Sequence, residues 1–287
     1  MRWLAILFSF FMSSGALAKA PDTQKQPKGQ KQYYTIQSGD TFESIAETLG
    51  VPASDLKKWN PRFAKAKSLP KGAKLVYYGR KMKPESVGSP SNGRLIMGKS
   101  LDPDRDKKGV GWVISAQREN VYGTPDTIAY IKYCASAYRS YFPKGKAQPI
   151  VIGDISKKGG GPLPPHKSHQ SGRDVDIGFI VKGAQQAAAN GVFVQATPDS
   201  VDLAKQWILT KCFLDLDATT HIFMEASIVE ALKQYVMKLY KKNKQMLKKY
   251  LQYFPGGSKA KIAPDDEHRS HMHVRFACPK NNKRCIP

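Results

Sequence analysis

The segment His166-Lys-Ser-His169-Gln-Ser-Gly-Arg-Asp174-Val-Asp176-Ile-Gly-Phe179-Ile-Val181 holds half of a pattern that is completed far downstream by His268-Arg-Ser-His271-Met-His273-Val-Arg275. The chain contains 6 histidines, and all but His221 lie in these two stretches. Alternation after Gly172 puts Val175, Ile177, Phe179 and Val181 on one face of a strand and Asp174 and Asp176 on the other. In the second stretch Met272, Val274 and Phe276 share one strand face, and His271, His273 and Arg275 the opposite one. Two such polar faces can meet across neighbouring strands. Imidazole nitrogens with a carboxylate oxygen suit a zinc ion, which at catalytic sites takes three protein ligands and leaves one position to water. His221, isolated in Thr220-His-Ile-Phe-Met224, reads instead as a surface or satisfied core histidine.

Working outward, Thr124-Pro125-Asp126 has the capping hydroxyl and first-turn proline of a helix start, leading into Ile128, Ile131, Cys134 and Tyr138 on one face. Pro149 to Asp154 reads as a buried strand. The loop Lys157 to Pro165, rich in glycine and proline, then delivers His166 and His169 to the mouth of a cleft. Thr197-Pro198-Asp199 repeats the helix-start signature ahead of Ala204, Ile208 and Cys212. Ile222 to Met224 suggests another strand, and Ala226 to about Tyr253 a strongly basic helix. Strands and helices alternate irregularly, so the expected class is α+β, an antiparallel sheet flanked by helices. Cys134 and Cys212 face the apolar sides of their helices, where they are either bridged or free.

At the histidine clusters the chain resembles the penicillin-insensitive murein endopeptidases, within a wider group of zinc peptidases that includes D-alanyl-D-alanine dipeptidases and lysostaphin-like enzymes. The resemblance rests on Pro-Pro-His166-Lys-Ser-His169-Gln-Ser-Gly-Arg-Asp174-Val-Asp176, on His268-Arg-Ser-His271-Met-His273-Val-Arg275-Phe-Ala-Cys278-Pro, and on Ser91-Asn-Gly, and it extends from about Ser89 to Pro287. It implies one zinc ion held by His169, Asp176 and His273, with His271 beside the metal and His268 and His166 lining the site. It also implies a disulfide between Cys278 and Cys285. A structural zinc site made from His271, His273, Cys278 and Cys285 is the competing use of those cysteines.

Toward the N-terminus, Arg2 followed by Leu4 to Met12 and Ala16-Leu-Ala18 reads as a secretory signal peptide cut after Ala18. The apolar run is short for a membrane span, so no transmembrane anchor is expected. Residues 19–32 are too polar to bury a core and read as a linker. Tyr33 to Gly79 then shows strand, helix, helix, strand: Ser38-Gly-Asp40-Thr41 turns and caps one helix, Pro61 stops a second, and Gly72 to Tyr77 returns. This block resembles the LysM domain in Ile36-Gln-Ser-Gly-Asp40-Thr41-Phe42, Trp59-Asn60-Pro61 and Leu69-Pro-Lys-Gly72. The resemblance implies binding of N-acetylglucosamine-rich glycan through Asp40, Thr41, Phe42, Asn60 and Pro61. Phe42 and Trp59 also fit a purely structural role in so small a core. Residues 80–88 read as a second linker, and 89–287 as the zinc domain.

The formal charge of +23 favours anionic partners, and Lys238, Lys241, Lys242, Lys244, Lys248 and Lys249 concentrate it on one predicted helix. For an exported chain such partners are wall polymers rather than nucleic acid. The expectation is therefore a periplasmic or secreted zinc endopeptidase. It would cut the D-alanyl to meso-diaminopimelyl cross-links of peptidoglycan with metal-activated water, untouched by penicillin, while its LysM module holds the glycan strands. A D-alanyl carboxypeptidase and a non-catalytic wall-binding scaffold are the alternatives.

Overall fold

The structure is a computed structural model describing residues 29–36, 39–101, 111–116, 119–143 and 146–287. The expected signal peptide, and the expected linker as far as residue 28, lie outside the described residues.

A small unit comes first. Strand β1 (Gln30–Thr35) begins inside the stretch read as linker and pairs antiparallel with β2 (Lys74–Gly79). Between them run α1 (Phe42–Leu49) and α2 (Ala53–Trp59). Thr41 caps α1 by accepting from the Ser44 backbone, Ser44 caps back, and Gly50 ends the helix in the left-handed conformation. Tyr34, Ile36, Phe42, Ile45, Leu49, Leu56, Leu75 and Tyr77 form a core of their own, with Trp59 packed against it.

The stretch read as the second linker is not all loop. Glu85–Ser89 is β3, which forms a hairpin with β4 (Asn92–Ile96) and is tied to the far end of the chain by Gly88 N–H to Arg284 O and Arg284 to Glu85. A short pair, β5 (Lys99–Ser100) with β7 (Tyr122–Gly123), flanks β6 (Trp112–Ile114). Helix α3 (Pro125–Ser140) starts on the Thr124 cap, as its sequence signature predicts. Then come β8 (Ile150–Ile152), β9 (Asp174–Gly178), α4 (Gln185–Ala189), α5 (Leu203–Asp215), β10 (Thr219–Met224), α6 (Ala226–Leu239), α7 (Lys244–Leu251), β11 (Ile262–Pro264) and β12 (His271–Phe276).

Six strands form the main sheet in the order β11-β10-β12-β9-β8-β6. Its centre is antiparallel, and the two outer pairs, β10 with β11 and β6 with β8, are parallel. The class is α+β, as expected. Val175, Ile177, Met272 and Val274 enter one continuous core with residues of α3, α5 and α6. Cys134 and Cys212 are bridged, stapling α3 to α5, and Cys278 is bridged to Cys285. The second bridge removes both thiols from any structural zinc site.

Two helical expectations are refined. Thr197 closes a turn with Ser200 instead of starting a helix, because Val201 still pairs with Val181; α5 begins only after Asp202, whose carboxylate accepts from Lys205 N–H. The basic helix is two helices, because Asn243 opens a new cap at Met246 N–H. Its lysines are exposed, as a solvated face would be, although Lys249 pairs with Asp215 at 2.8 Å.

Candidate metal centre

Strand register builds the site. In the β9–β12 pair His273 stands opposite Asp176, and Arg275 opposite Asp174, so the two polar faces meet as the alternation predicted. The Lys157 to Pro165 loop brings His166 and His169 to the same place. His169 has φ +64, a left-handed conformation that costs a non-glycine residue energy, and Asp174 holds it by accepting its backbone N–H at 3.0 Å.

Asp176 is the centre, only 2% exposed. Around its carboxylate lie His169 Nε2 at 3.2 Å, His273 Nδ1 at 3.3 Å, His271 Nε2 at 3.6 Å and His166 Nδ1 at 3.9 Å. Among the described residues, two groups offer ligand atoms all within 4.8 Å of one another: His166, His169 and Asp176, and Asp176, His268 and His271. His273 approaches the same Asp176 oxygen from its own strand.

Hydrogen-bond roles give a direct test of whether this set fits a cation. His169 Nδ1 is 3.0 Å from the Ile155 carbonyl, which only accepts, so that nitrogen carries the proton. In the neutral form, the one that binds a cation, the bare Nε2 lone pair then faces Asp176 Oδ1. Both atoms are buried and neither has a hydrogen-bond partner. A lone pair facing a carboxylate oxygen at 3.2 Å is repulsive unless a positive charge lies between them. His273 lies between two carboxylates, with Nε2 3.0 Å from Asp174 Oδ1 and Nδ1 3.3 Å from Asp176 Oδ1. A carboxylate behind an imidazole in this way fixes the ring's tautomer for a metal in front of it. The residues present fit a divalent cation.

The electrostatics agree. Burial alone would raise both aspartates, but imidazoles, with Arg275 beside Asp174, hold Asp174 and Asp176 well below the usual carboxylate range. Burial pulls the His273 ring down, and Asp174 and Asp176 overturn that, lifting it to about 9. His271 has no such carboxylate behind it. Burial depresses it to about 4 despite Asp176, while Ser270 Oγ sits 3.2 Å from its Nδ1 and Phe193 stacks on its ring. His268 is lowered by burial, with Nδ1 3.3 Å from Asp265. His166 Nε2 meets Asp154 at 2.9 Å. His221 stacks on Phe223 and takes no part in either group.

Several residues that organise this centre had no role assigned to them from the sequence. Asp174 joins both clusters, since it also accepts from Arg275 Nε at 2.7 Å. Asp154, capped by Asn120, positions His166, and the only hint of it was an acid directly after the apolar run Ile150 to Ile152. Phe193 reaches His271 because Gly153 leaves space: a Cβ there would sit 2.7 Å from the ring. No local motif announces that contact.

In the small unit, Thr41 and Pro61 are exposed and Phe42 lies in the core. Asn60 spends its amide on Leu56 O, Val76 O and Val76 N–H, and Asp40 accepts from Tyr34 and pairs with Lys158.

Comparison with known proteins matches the penicillin-insensitive murein endopeptidase family over residues 86–287 and the LysM domain over residues 34–76. The chain belongs to the penicillin-insensitive murein endopeptidase family. A penicillin-insensitive murein endopeptidase of Haemophilus influenzae is 28% identical over 215 residues, covering 71% of this chain and 67% of that protein. Proteins of the same name from Klebsiella pneumoniae and Yersinia pestis are each 25% identical, over 70% and 71% of this chain and 69% and 70% of their own lengths. The family match contains every residue of the metal centre, and the LysM match contains Asp40, Thr41, Phe42, Asn60 and Pro61.

Proposed function

We propose that this protein is an exported, zinc-dependent endopeptidase that hydrolyses the D-alanyl to meso-diaminopimelyl cross-links of peptidoglycan, with its LysM module retained on the glycan strands. The observation that carries the metal is the unpartnered, buried pair His169 Nε2 and Asp176 Oδ1. His169, Asp176 and His273 would hold the ion. Zinc bound there supplies a Lewis acid that polarises the scissile carbonyl and lowers the pKa of water to roughly 7.

The chain's own groups do the rest. His271 is neutral at physiological pH because burial depresses it, and in the tautomer with the proton on Nδ1, 3.2 Å from Ser270 Oγ, its Nε2 would take a proton from water. Asp174 and Ile155 O keep the His273 and His169 rings in the tautomers that aim lone pairs inward. His268 or His166 would assist protonation of the leaving amine. No serine is asked to form an acyl-enzyme, which accounts for indifference to penicillin. The two disulfides suit an oxidising compartment, and no described helix is long and apolar enough to cross a membrane.

The test is incubation of purified protein with defined cross-linked muropeptides, with and without chelator, followed by mass analysis of the products. Cleavage of the cross-link, lost on metal removal and restored by zinc, is expected. Release of terminal D-alanine alone would make it a carboxypeptidase, and no product from metal-loaded protein would leave a binding scaffold.

A further inference from the structure

In the turn that leads into α1, Gly39 and Thr41 are exposed but Asp40 between them is covered. Asp40 is 8% exposed, with one carboxylate oxygen accepting from Tyr34 Oη at 3.1 Å and the other 2.6 Å from Lys158 Nζ. Lys158 belongs to the zinc domain, on the loop that leads to His166, and its side chain is only 22% exposed. A second, looser ion pair joins Glu47 of α1 to Arg94 of β4 at 3.6 Å. Tyr122 of β7 lies near enough to help raise the Tyr34 hydroxyl pKa, behind burial and Asp40. The module therefore docks on the zinc domain through the same turn that carries Asp40 and Thr41.

The zinc-domain side of this contact is stiff. Gly160, two residues from Lys158, bridges Arg94 and has φ +72; a Cβ there would lie 2.2 Å from Gln170 O and 2.5 Å from Leu95 N. Gly161 N–H bonds to Gly93 O and Gln170 O, and Leu163 bridges His166. Lys158 is thus held in place by backbone, not swung on a loose arm.

On the reading that glycan is bound at the Gly39 to Phe42 turn, we infer that Lys158 is an intramolecular latch on the module's glycan surface, which an N-acetylglucosamine-rich strand must displace. The geometry is competitive because the Asp40 side chain is only 2% exposed, with the Tyr34 hydroxyl on one oxygen and the Lys158 ammonium against the other, so an acetamido group reaches the carboxylate only when Lys158 withdraws. A partly buried ion pair that closes a binding surface lowers apparent affinity by the fraction of molecules left open. The coupling is reciprocal: glycan at the turn frees Lys158, and frees the module from the loop beside the catalytic histidines.

The test uses the mature full-length chain and the N-acetylglucosamine tetramer, with affinity measured by calorimetry. Lys158→Ala is expected to bind about fivefold more tightly than the parent, and Lys158→Arg to match the parent. In the parent protein, saturating tetramer should increase the rate at which an amine-acetylating reagent modifies Lys158, read by peptide mass. Equal affinity in parent and Lys158→Ala overturns the latch but leaves glycan binding by the module standing. Weaker binding by Lys158→Ala also overturns it, making Lys158 a glycan contact instead. No binding by either protein overturns the module's glycan reading and the latch together.

Discussion

The metal centre and the LysM turn are both small clusters of polar side chains, and they are finished to opposite degrees. At the centre, His169 Nε2 and Asp176 Oδ1 are buried without partners, while the atoms behind them, His169 Nδ1 and Asp174, are fully engaged. In the module, the Asn60 amide and the Asp40 carboxylate are committed to their own neighbours. A buried polar atom left unpaired costs energy, and the proposed ion would supply the missing partner in the first region. The second is complete as it stands. Substitutions at the centre should therefore strike ligand binding before folding, and substitutions in the module should strike folding first.

The largest expected effect comes from His273→Ala. It removes one of the three proposed ligands, and both zinc content and cross-link cleavage should fall to background while the circular dichroism spectrum stays close to that of the parent. His271→Ala should keep about one zinc per chain and lose on the order of 10² to 10⁴ in turnover, the usual range for a positioned acid or base. Metal analysis alongside rate decides between them. Zinc lost from His271→Ala and kept by His273→Ala would reverse the two roles.

Asp174→Asn probes the finished layer behind the ligands. The carboxylate accepts from Arg275, His273 and the strained His169 backbone, so the amide should weaken zinc binding by about 10- to 100-fold, measured by competition with a chromogenic chelator. Unchanged affinity would mean that Asp174 serves the fold alone.

The fold around this centre was legible because alternation in two short segments fixes which side chains face each other once the strands pair. Asp176 and His273 needed only the β9–β12 register to meet. Asp154, Asn120 and Phe193 were not legible, because Asp154 and Phe193 reach the histidines, and Asn120 reaches Asp154, through tertiary contacts that leave no periodic trace. The Thr197-Pro198-Asp199 signature misled for a related reason: the same side-chain chemistry closes a turn when the next residue is held in a strand bridge. The latch on Asp40 was equally hidden, since nothing local to Asp40 points to Lys158.

A pH titration sharpens the contrast from the side of stability. In metal-free protein the His273 pKa is raised to about 9, so its stabilising contribution is full below the ordinary imidazole pKa and disappears as pH rises through about 9. Asp174 and Asp176 are depressed, so theirs is present above the usual carboxylate range and disappears as pH falls below it. His271, depressed to about 4, loses its contribution as pH falls below the ordinary imidazole pKa, so chelated protein should be most stable near pH 6.5 and lose on the order of 1–3 kcal/mol by pH 9. Zinc-loaded protein should not show that alkaline decline, because a ligand imidazole must already be neutral. Parallel denaturant curves with and without metal measure both, and identical alkaline limbs would remove His273 from the metal.

The smallest effect is expected from Thr41→Ala, and it tests the module's side of the comparison. Thr41 Oγ1 accepts from Ser44 N–H at 3.1 Å as the cap of α1, and the Thr41 side chain is also a proposed glycan contact. Losing the cap should cost the module about 1 kcal/mol, while cutting of soluble muropeptides, proposed for the endopeptidase domain, should stay within about twofold of the parent. Thr41→Ser keeps a hydroxyl able to cap and should restore the stability. If the module is complete in itself, Thr41→Ala should alter retention on intact sacculi only in proportion to the fraction unfolded. Retention that collapses while the module remains folded would show that this hydroxyl contacts glycan directly, and the module would then resemble the metal centre in keeping a polar atom for its ligand.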